Sequence, residues 1–133
     1  LDTNGLLPLV LKKLLKHQLV DYLAMDIKVP LKNYRQITDT KIDSANIKNS
    51  IKLIMKSGLP YEFRTTLVHN LHISEDIESM AKLIKGADKY FLQSFRRQNN
   101  LVSREFNGRS FPLKTMAEFK NIAAKYVKVC EVR

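Results

Sequence analysis

Several polar residues in this chain stand where a polar group is useful for chemistry. In the run Val20-Asp21-Tyr22-Leu23-Ala24-Met25-Asp26-Ile27-Lys28, an apolar stretch closes on Asp26 and Lys28, two residues apart. In an extended strand, side chains two apart leave the same face. Opposite charges at the exit of a parallel strand suit an α/β binding site, although such charges also simply mark where a strand meets solvent. Arg64 stands in the middle of a second apolar run, Pro60 to Val68. A buried arginine needs a partner, so it pairs with an acid, Asp26 or Glu62, or meets an anionic ligand. Asp2, Thr3 and Asn4 precede Gly5 in what reads as a strand exit and turn. Gln93 shares a strand face with Phe91 and Phe95 and could point into a polar interior. His69 and His72 lie in a loop, three apart; that spacing suits a metal only on a helix and only with further ligands, and no nearby cluster supplies them.

The elements that must position these groups can be read from periodicity. After the turn at Gly5, Pro8 suits a first helical turn and Leu7, Leu11, Leu14 and Leu15 recur at helical spacing as far as His17. The strand from Val20 to Lys28 is stopped by Pro30, and a short helix over Leu31 to Thr38 carries Tyr34 and Ile37 inward. Asp43 is an N-cap, with Ile42 and Ile47 as a hydrophobic staple, for a helix that buries Ile47, Ile51, Ile54 and Met55 and stops at Gly58. In the Pro60 to Val68 strand, Phe63, Thr65 and Leu67 face one side and Glu62, Arg64, Thr66 and Val68 the other. Ser74 is expected to cap the next helix, which buries Ile77, Met80, Ala81 and Ile84. A strand over Tyr90 to Phe95 leads into a long basic segment, 96–112, with Arg96, Arg97, Arg104 and Arg109. Thr115 and Glu118 are expected to form a capping box for the last helix, before a final strand over Tyr126 to Val132. This alternation argues for an α/β fold with parallel strands, either an open sheet or a partial barrel.

Composition sets the outer limits. The 133 residues, 44% of them hydrophobic, suffice for one domain with a real core. Neither a signal peptide nor an apolar stretch long enough to span a bilayer is evident. The single cysteine, Cys130, excludes an intrachain disulfide and makes a reducing, cytoplasmic setting the default. It also cannot by itself hold an iron–sulfur cluster, and it reads as a small buried hydrophobe. The net charge of +10 favours acidic partners, but the lysines are scattered along helix faces without interleaved aromatics, so no specific nucleic-acid site is expected. Because the chain opens on a strand exit, it is expected to begin in the middle of a fold.

Four stretches in order carry a resemblance: Leu1-Asp2-Thr3-Asn4-Gly5, Asp21 to Lys28, Tyr61-Glu62-Phe63-Arg64-Thr65-Thr66-Leu67-Val68, and Leu92-Gln93-Ser94-Phe95-Arg96. Together they resemble the radical S-adenosylmethionine activating enzymes of glycyl radical enzymes. Within these they are most similar to the activating proteins of anaerobic ribonucleoside-triphosphate reductase, with the pyruvate formate-lyase activating enzymes next. The resemblance implies that residues 1–133 are a single α/β domain, the C-terminal part of a partial (β/α) TIM-like barrel lacking the N-terminal strands that bind the cluster. In that family a 4Fe–4S cluster held by a CxxxCxxC motif binds S-adenosylmethionine. Reductive cleavage then gives a 5′-deoxyadenosyl radical, which takes hydrogen from a glycine of the partner enzyme. That motif does not occur in these 133 residues, so the fragment alone is expected to be inactive.

By position, the resemblance makes Asp2, Thr3, Asn4, Asp26, Lys28, Arg64 and Gln93 cofactor-binding residues. It assigns no catalytic or metal-ligating residue to this fragment. Arg64 would reach the cofactor's carboxylate or the glycine-bearing loop, Asp26 the ammonium or a cation, and Lys28 either Asp26 or the partner's backbone. The implied partners are a glycyl radical enzyme and an electron donor of flavodoxin or ferredoxin type. His69-Asn70 stands where many relatives have Pro-Gly. A second reading stays open, a stand-alone module that binds a nucleotide or a protein without catalysis.

Overall fold

The computed structural model describes residues 1–37, 42–96 and 108–133. The elements in chain order are β1 (Asp2–Thr3), α1 (Pro8–Lys16), β2 (Leu23–Asp26), a 3-10 turn (Leu31–Asn33), α2 (Tyr34–Ile37), α3 (Ser44–Met55), β3 (Tyr61–Leu67), α4 (Ser74–Leu83), β4 (Lys89–Ser94), α5 (Leu113–Ala123) and β5 (Val129–Val132). The five strands form one parallel sheet in the order β1-β2-β3-β4-β5. Strand order therefore follows chain order. Right-handed crossovers between successive parallel neighbours place every connecting helix on the same face, which is how a barrel is wound. The alternation of elements left an open sheet or a partial barrel, and this singly wound parallel α/β sheet is consistent with the partial barrel that the resemblance implied.

The two faces of the sheet differ as the alternation requires. Leu23, Met25, Phe63, Thr65, Leu67, Tyr90, Leu92 and Cys130 point toward the helices and are buried against Ile47, Ile51 and Ile54 of α3, Ile77 and Met80 of α4, and Met116 and Phe119 of α5. One polar group in that layer is fully paired: Thr65 Oγ1 donates to the Ile27 carbonyl at 2.6 Å and lies 2.7 Å from the Tyr90 hydroxyl. Register puts Asp2 beside Ala24, Ala24 beside Glu62, Asp26 beside Arg64, Arg64 beside Phe91, and Thr66 beside Gln93. These residues share the other face, which the helices leave uncovered.

The helix of 44–55 forms as its sequence indicates. Asp43 Oδ1 accepts the Ala45 N–H at 2.9 Å, Ile42 packs on the core, and Ile47, Ile51 and Ile54 are buried. Elsewhere local signals were overruled. Ser74 is the first residue of α4 rather than its cap. Ile73 holds that place, and Asp76 Oδ2 accepts the Ile73 N–H at 3.0 Å. Thr115 lies inside α5, which starts two residues earlier after Pro112, so no capping box forms there. The second strand is limited to Leu23–Asp26 and the last to Val129–Val132. Each is four residues, paired along its length with the longer β3 or β4. Leu7 precedes α1 and is exposed, whereas Leu11 is buried. Thr38, Arg97 and Arg104 fall outside the described residues.

Candidate functional site

The uncovered face carries a row of opposite charges. Arg64, near the middle of β3, donates from Nε to Asp26 Oδ1 at 3.0 Å, and its Nη2 lies 3.6 Å from Asp2 Oδ1. Three adjacent strands thus contribute one guanidinium between two carboxylates. The Arg64 side chain is 18% exposed, against 44% for Asp26 and 76% for Asp2. The arginine is therefore sunk in the face, and the acids stand at its rim. Nε is hydrogen-bonded to Asp26 and Nη2 faces Asp2 as an ion pair, while Nη1 keeps N–H donors for an anion.

At the C-terminal edge the exits of β2 and β3 are tied by His72. Its ring is buried, with 2% exposure. Nδ1 accepts the Val68 N–H at 3.0 Å. With Nδ1 an acceptor, the ring proton is on Nε2, which donates to the Lys28 carbonyl at 2.7 Å. The Lys28 N–H in turn donates to the Tyr34 hydroxyl at 3.1 Å. Burial, the larger influence, and the neighbouring Asp26 carboxylate push the Tyr34 hydroxyl up. Lys28 is thus pinned by its backbone while its side chain is exposed. Asp26, Lys28, Gln36, Thr66, Leu71 and His72 take part in lining an open hollow of about 500 Å³ beside the charged row. A larger hollow of about 700 Å³ lies between α2 and the start of α3, away from this row and next to residues outside the described set. The polar ends of β2 and β3 line the smaller one.

A second charged pair lies lower on the same face. Glu62 is buried, and its Oε2 lies 3.1 Å from Arg133 Nη1 in an ion pair without hydrogen-bond alignment. The Arg133 guanidinium stacks over Phe91 at 3.5 Å from the ring centre. Tyr22, on the same side, has its hydroxyl pushed up by burial first and by Glu62 next. This pair closes the floor beneath the Arg64 row.

The structure brings together Asp2, Asp26 and Arg64 and places Gln93 on the same face, where its Oε1 accepts the Thr66 hydroxyl at 3.3 Å. Thr3 and Asn4 shape the turn instead. Thr3 Oγ1 accepts the Gly5 N–H at 3.0 Å and Asn4 Oδ1 the Leu6 N–H at 3.1 Å. Lys28 lies beyond the end of β2, and the described residues give its Nζ no ion pair. Sequence reasoning left Arg64 between an acid, Asp26 or Glu62, and an anionic ligand, and passed over Asp2; of the two acids the structure pairs it with Asp26 and gives Glu62 to Arg133, with Asp2 as the second partner. Sequence reasoning also missed the bridging role of His72, for which a loop histidine offers no periodic signal.

This arrangement can be set beside known proteins. No family model matches the chain. Across its whole length the chain is 34% identical, over 138 aligned positions, to a protein of Methanocaldococcus jannaschii named as a glycyl-radical enzyme activating enzyme. The chain fits a fragment of a radical S-adenosylmethionine activating enzyme. It spans 57% of that relative's length. In fold it matches the crystal structure of a domain of a pyruvate-formate lyase-activating enzyme from Bacteroides vulgatus, with a TM-score of 0.73, 12% identity, and 98% of this chain and 78% of that one covered. That likeness places the singly wound sheet of this chain in the same architecture.

Two groups associated with such enzymes can be tested against the residues present. A guanidinium flanked by two partly exposed carboxylates offers donors for a carboxylate and acceptors for an ammonium, so the row suits the amino-acid end of S-adenosylmethionine. An iron–sulfur cluster finds no such fit. Among the described residues no three His, Cys, Asp or Glu side chains converge, and Cys130 is buried in the helix-facing layer. Burial pushes its thiol up to about 11, the opposite of what a thiolate ligand needs.

Proposed function

We propose that this chain is the C-terminal part of an enzyme that installs a glycyl radical on a partner protein, and that S-adenosylmethionine binds across its uncovered sheet face. The observation that carries this reading is the Arg64 guanidinium held between Asp26 and Asp2 on three neighbouring strands. Arg64 binds the cofactor's carboxylate and Asp26 its ammonium. Asp2 keeps the guanidinium in the plane of the row. Thr66 and Gln93 line the wall beside it, and Thr3 and Asn4 fix the turn that carries Asp2. Lys28, at the rim, meets the backbone of the incoming glycine-bearing segment. When bound, S-adenosylmethionine supplies the group that takes a hydrogen atom from glycine. The cluster that reduces it is held by residues outside this chain, so the fragment alone is inactive. The partner is a glycyl radical enzyme of the anaerobic ribonucleoside-triphosphate reductase type, on the strength of the four sequence stretches. The electron donor is of flavodoxin or ferredoxin type and the setting cytoplasmic.

The test uses the full-length natural protein, handled without oxygen. Binding of S-adenosylmethionine and release of 5′-deoxyadenosine are measured for wild type, Arg64→Ala and Asp26→Asn. Loss of a charged hydrogen bond predicts binding weakened about tenfold or more in each variant, with Lys125→Ala unchanged. Unaltered binding in both row variants, with no cleavage in wild type, would leave the stand-alone binding module as the better reading.

A further inference from the structure

On the helix-covered side, far from the charged row, α1 and α3 pack side by side and leave a groove of about 500 Å³ between them. Pro8, Leu9, Leu15 and Leu53 give it an apolar lining, Lys12, Lys52 and Lys56 a cationic one, and Asn49 and Ser57 complete it. Neither α1 nor α3 contains an aspartate or glutamate, and the two helices with the Lys56 cap carry six lysines, Lys12, Lys13, Lys16, Lys48, Lys52 and Lys56. By contrast, α4 and α5 contain acids, and the ion pairs of Lys82 with Glu78 and of Lys120 with Glu131 lie there. Three of these six lysines, Lys12, Lys52 and Lys56, line this one cleft, in a chain whose net charge is +10. Lysines this close repel one another and gain nothing for the fold by clustering, and Leu9, 74% exposed at the cleft, gains nothing in water.

We propose that this groove docks an acidic amphipathic helix of a partner protein, which places an apolar side chain between Leu9, Leu15 and Leu53 and carboxylates against Lys12, Lys52 and Lys56. The cleft is walled by both helices, so a further helix on the β1 side of the sheet would meet the other flank of α1, the one that helical spacing assigns to Val10 and Leu14. A nucleic acid has no use for an apolar lining, and a flat bilayer surface does not fill a concave one. The remaining occupant combines apolar knobs with negative charge, the helix-in-groove mode of recognition.

The experiment uses the full-length natural protein and two synthetic helical peptides. One presents a Leu stripe flanked by Glu, and the other has every Glu replaced by Lys. The Glu peptide is expected to bind with an affinity that falls steeply with salt, and the Lys peptide not to bind. Lys52→Glu with Lys56→Glu is expected to weaken binding roughly tenfold or more, and Leu53→Ser comparably. Lys82→Glu with Lys85→Glu, at and just past the end of α4, should leave it unchanged, and circular dichroism checks that each variant is folded. Equal binding of both peptides, or an unchanged affinity in the Lys52/Lys56 variant, would overturn the proposal. So would failure to bind the Glu peptide alongside sedimentation with phosphatidylserine vesicles, which would assign the face to a membrane. None of these readouts depends on S-adenosylmethionine, so failure here leaves the Arg64 reading standing.

Discussion

Arg64 and Asp26 are register partners on adjacent parallel strands, and the Nε–Oδ1 contact of 3.0 Å joins β3 to β2 through side chains as well as backbone. The pair lies where the sheet has no helix over it, so the bond is not needed to fill a core. Arg64→Lys keeps the charge but loses the planar fork, and Arg64→Ala leaves Asp2 and Asp26 facing each other. Because Asp26 is nearly half exposed, the stability cost is set by a screened pair, about 1 kcal/mol for Arg64→Ala. The effect on S-adenosylmethionine binding is expected to be larger than that on stability. Urea melts set against binding isotherms for both variants check the ordering.

His72 is expected to matter more for the fold than its loop position suggests. His72→Ala orphans the Val68 N–H and the Lys28 carbonyl where little water reaches them, a loss of about 2–4 kcal/mol. His72→Gln can restore one of the two contacts and should recover part of it. Chemical denaturation of the two variants distinguishes this from a spectator histidine, whose replacement would cost under about 0.5 kcal/mol.

Gly5 turns the chain from β1 into α1 with φ +76°, and its carbonyl accepts the Ser50 hydroxyl at 2.8 Å. An added Cβ would also press on the Met25 side chain. Gly58 has the same φ of +76° but open space around its Cα. Gly58→Ala is thus expected to cost about 1 kcal/mol from the backbone alone. Gly5→Ala should cost more and should disturb Asp2, three residues away. Thermal midpoints of the two variants, compared directly, give the steric part.

Cys130 supplies a pH dependence. Burial is the main cause that raises its thiol from 9.0 to about 11, with Lys120 pulling the other way. A raised folded-state value means that the unfolded chain ionises first as pH climbs. Its contribution is therefore complete below about pH 9 and is lost as pH rises toward about 11. Tyr34 and Tyr90 act in the same direction, since burial raises both. Denaturant midpoints are expected to fall across that window in wild type and to fall less in Cys130→Ala.

The sequence displayed the layers of this fold more clearly than its edges. Helical spacing found the buried stripe Ile47, Ile51 and Ile54, and alternation separated Phe63, Thr65 and Leu67 from Glu62, Arg64 and Thr66, because burial of one face imposes a period. Ends were harder to read. Ser74 and Thr115 have the chemistry of caps, yet Asp76 satisfies the start of α4 from within the helix and α5 begins after Pro112. In the site, Asp26 and Arg64 were legible because charges interrupt apolar runs. Asp2 as a partner of Arg64 was not, since their pairing depends on strand order across 61 intervening positions. The same holds for His72 and Lys28, which meet only because β2 and β3 are neighbours.

The most direct test of the central claim is electron paramagnetic resonance on the full-length natural protein, incubated without oxygen with S-adenosylmethionine, a reductant and an anaerobic ribonucleoside-triphosphate reductase from the same organism. A glycyl radical doublet is expected on the reductase, lost when its radical-bearing glycine is replaced by alanine and strongly reduced by Arg64→Ala in the activating protein. A doublet of undiminished intensity with Arg64→Ala, or no doublet with any glycyl radical enzyme of that organism, would contradict it.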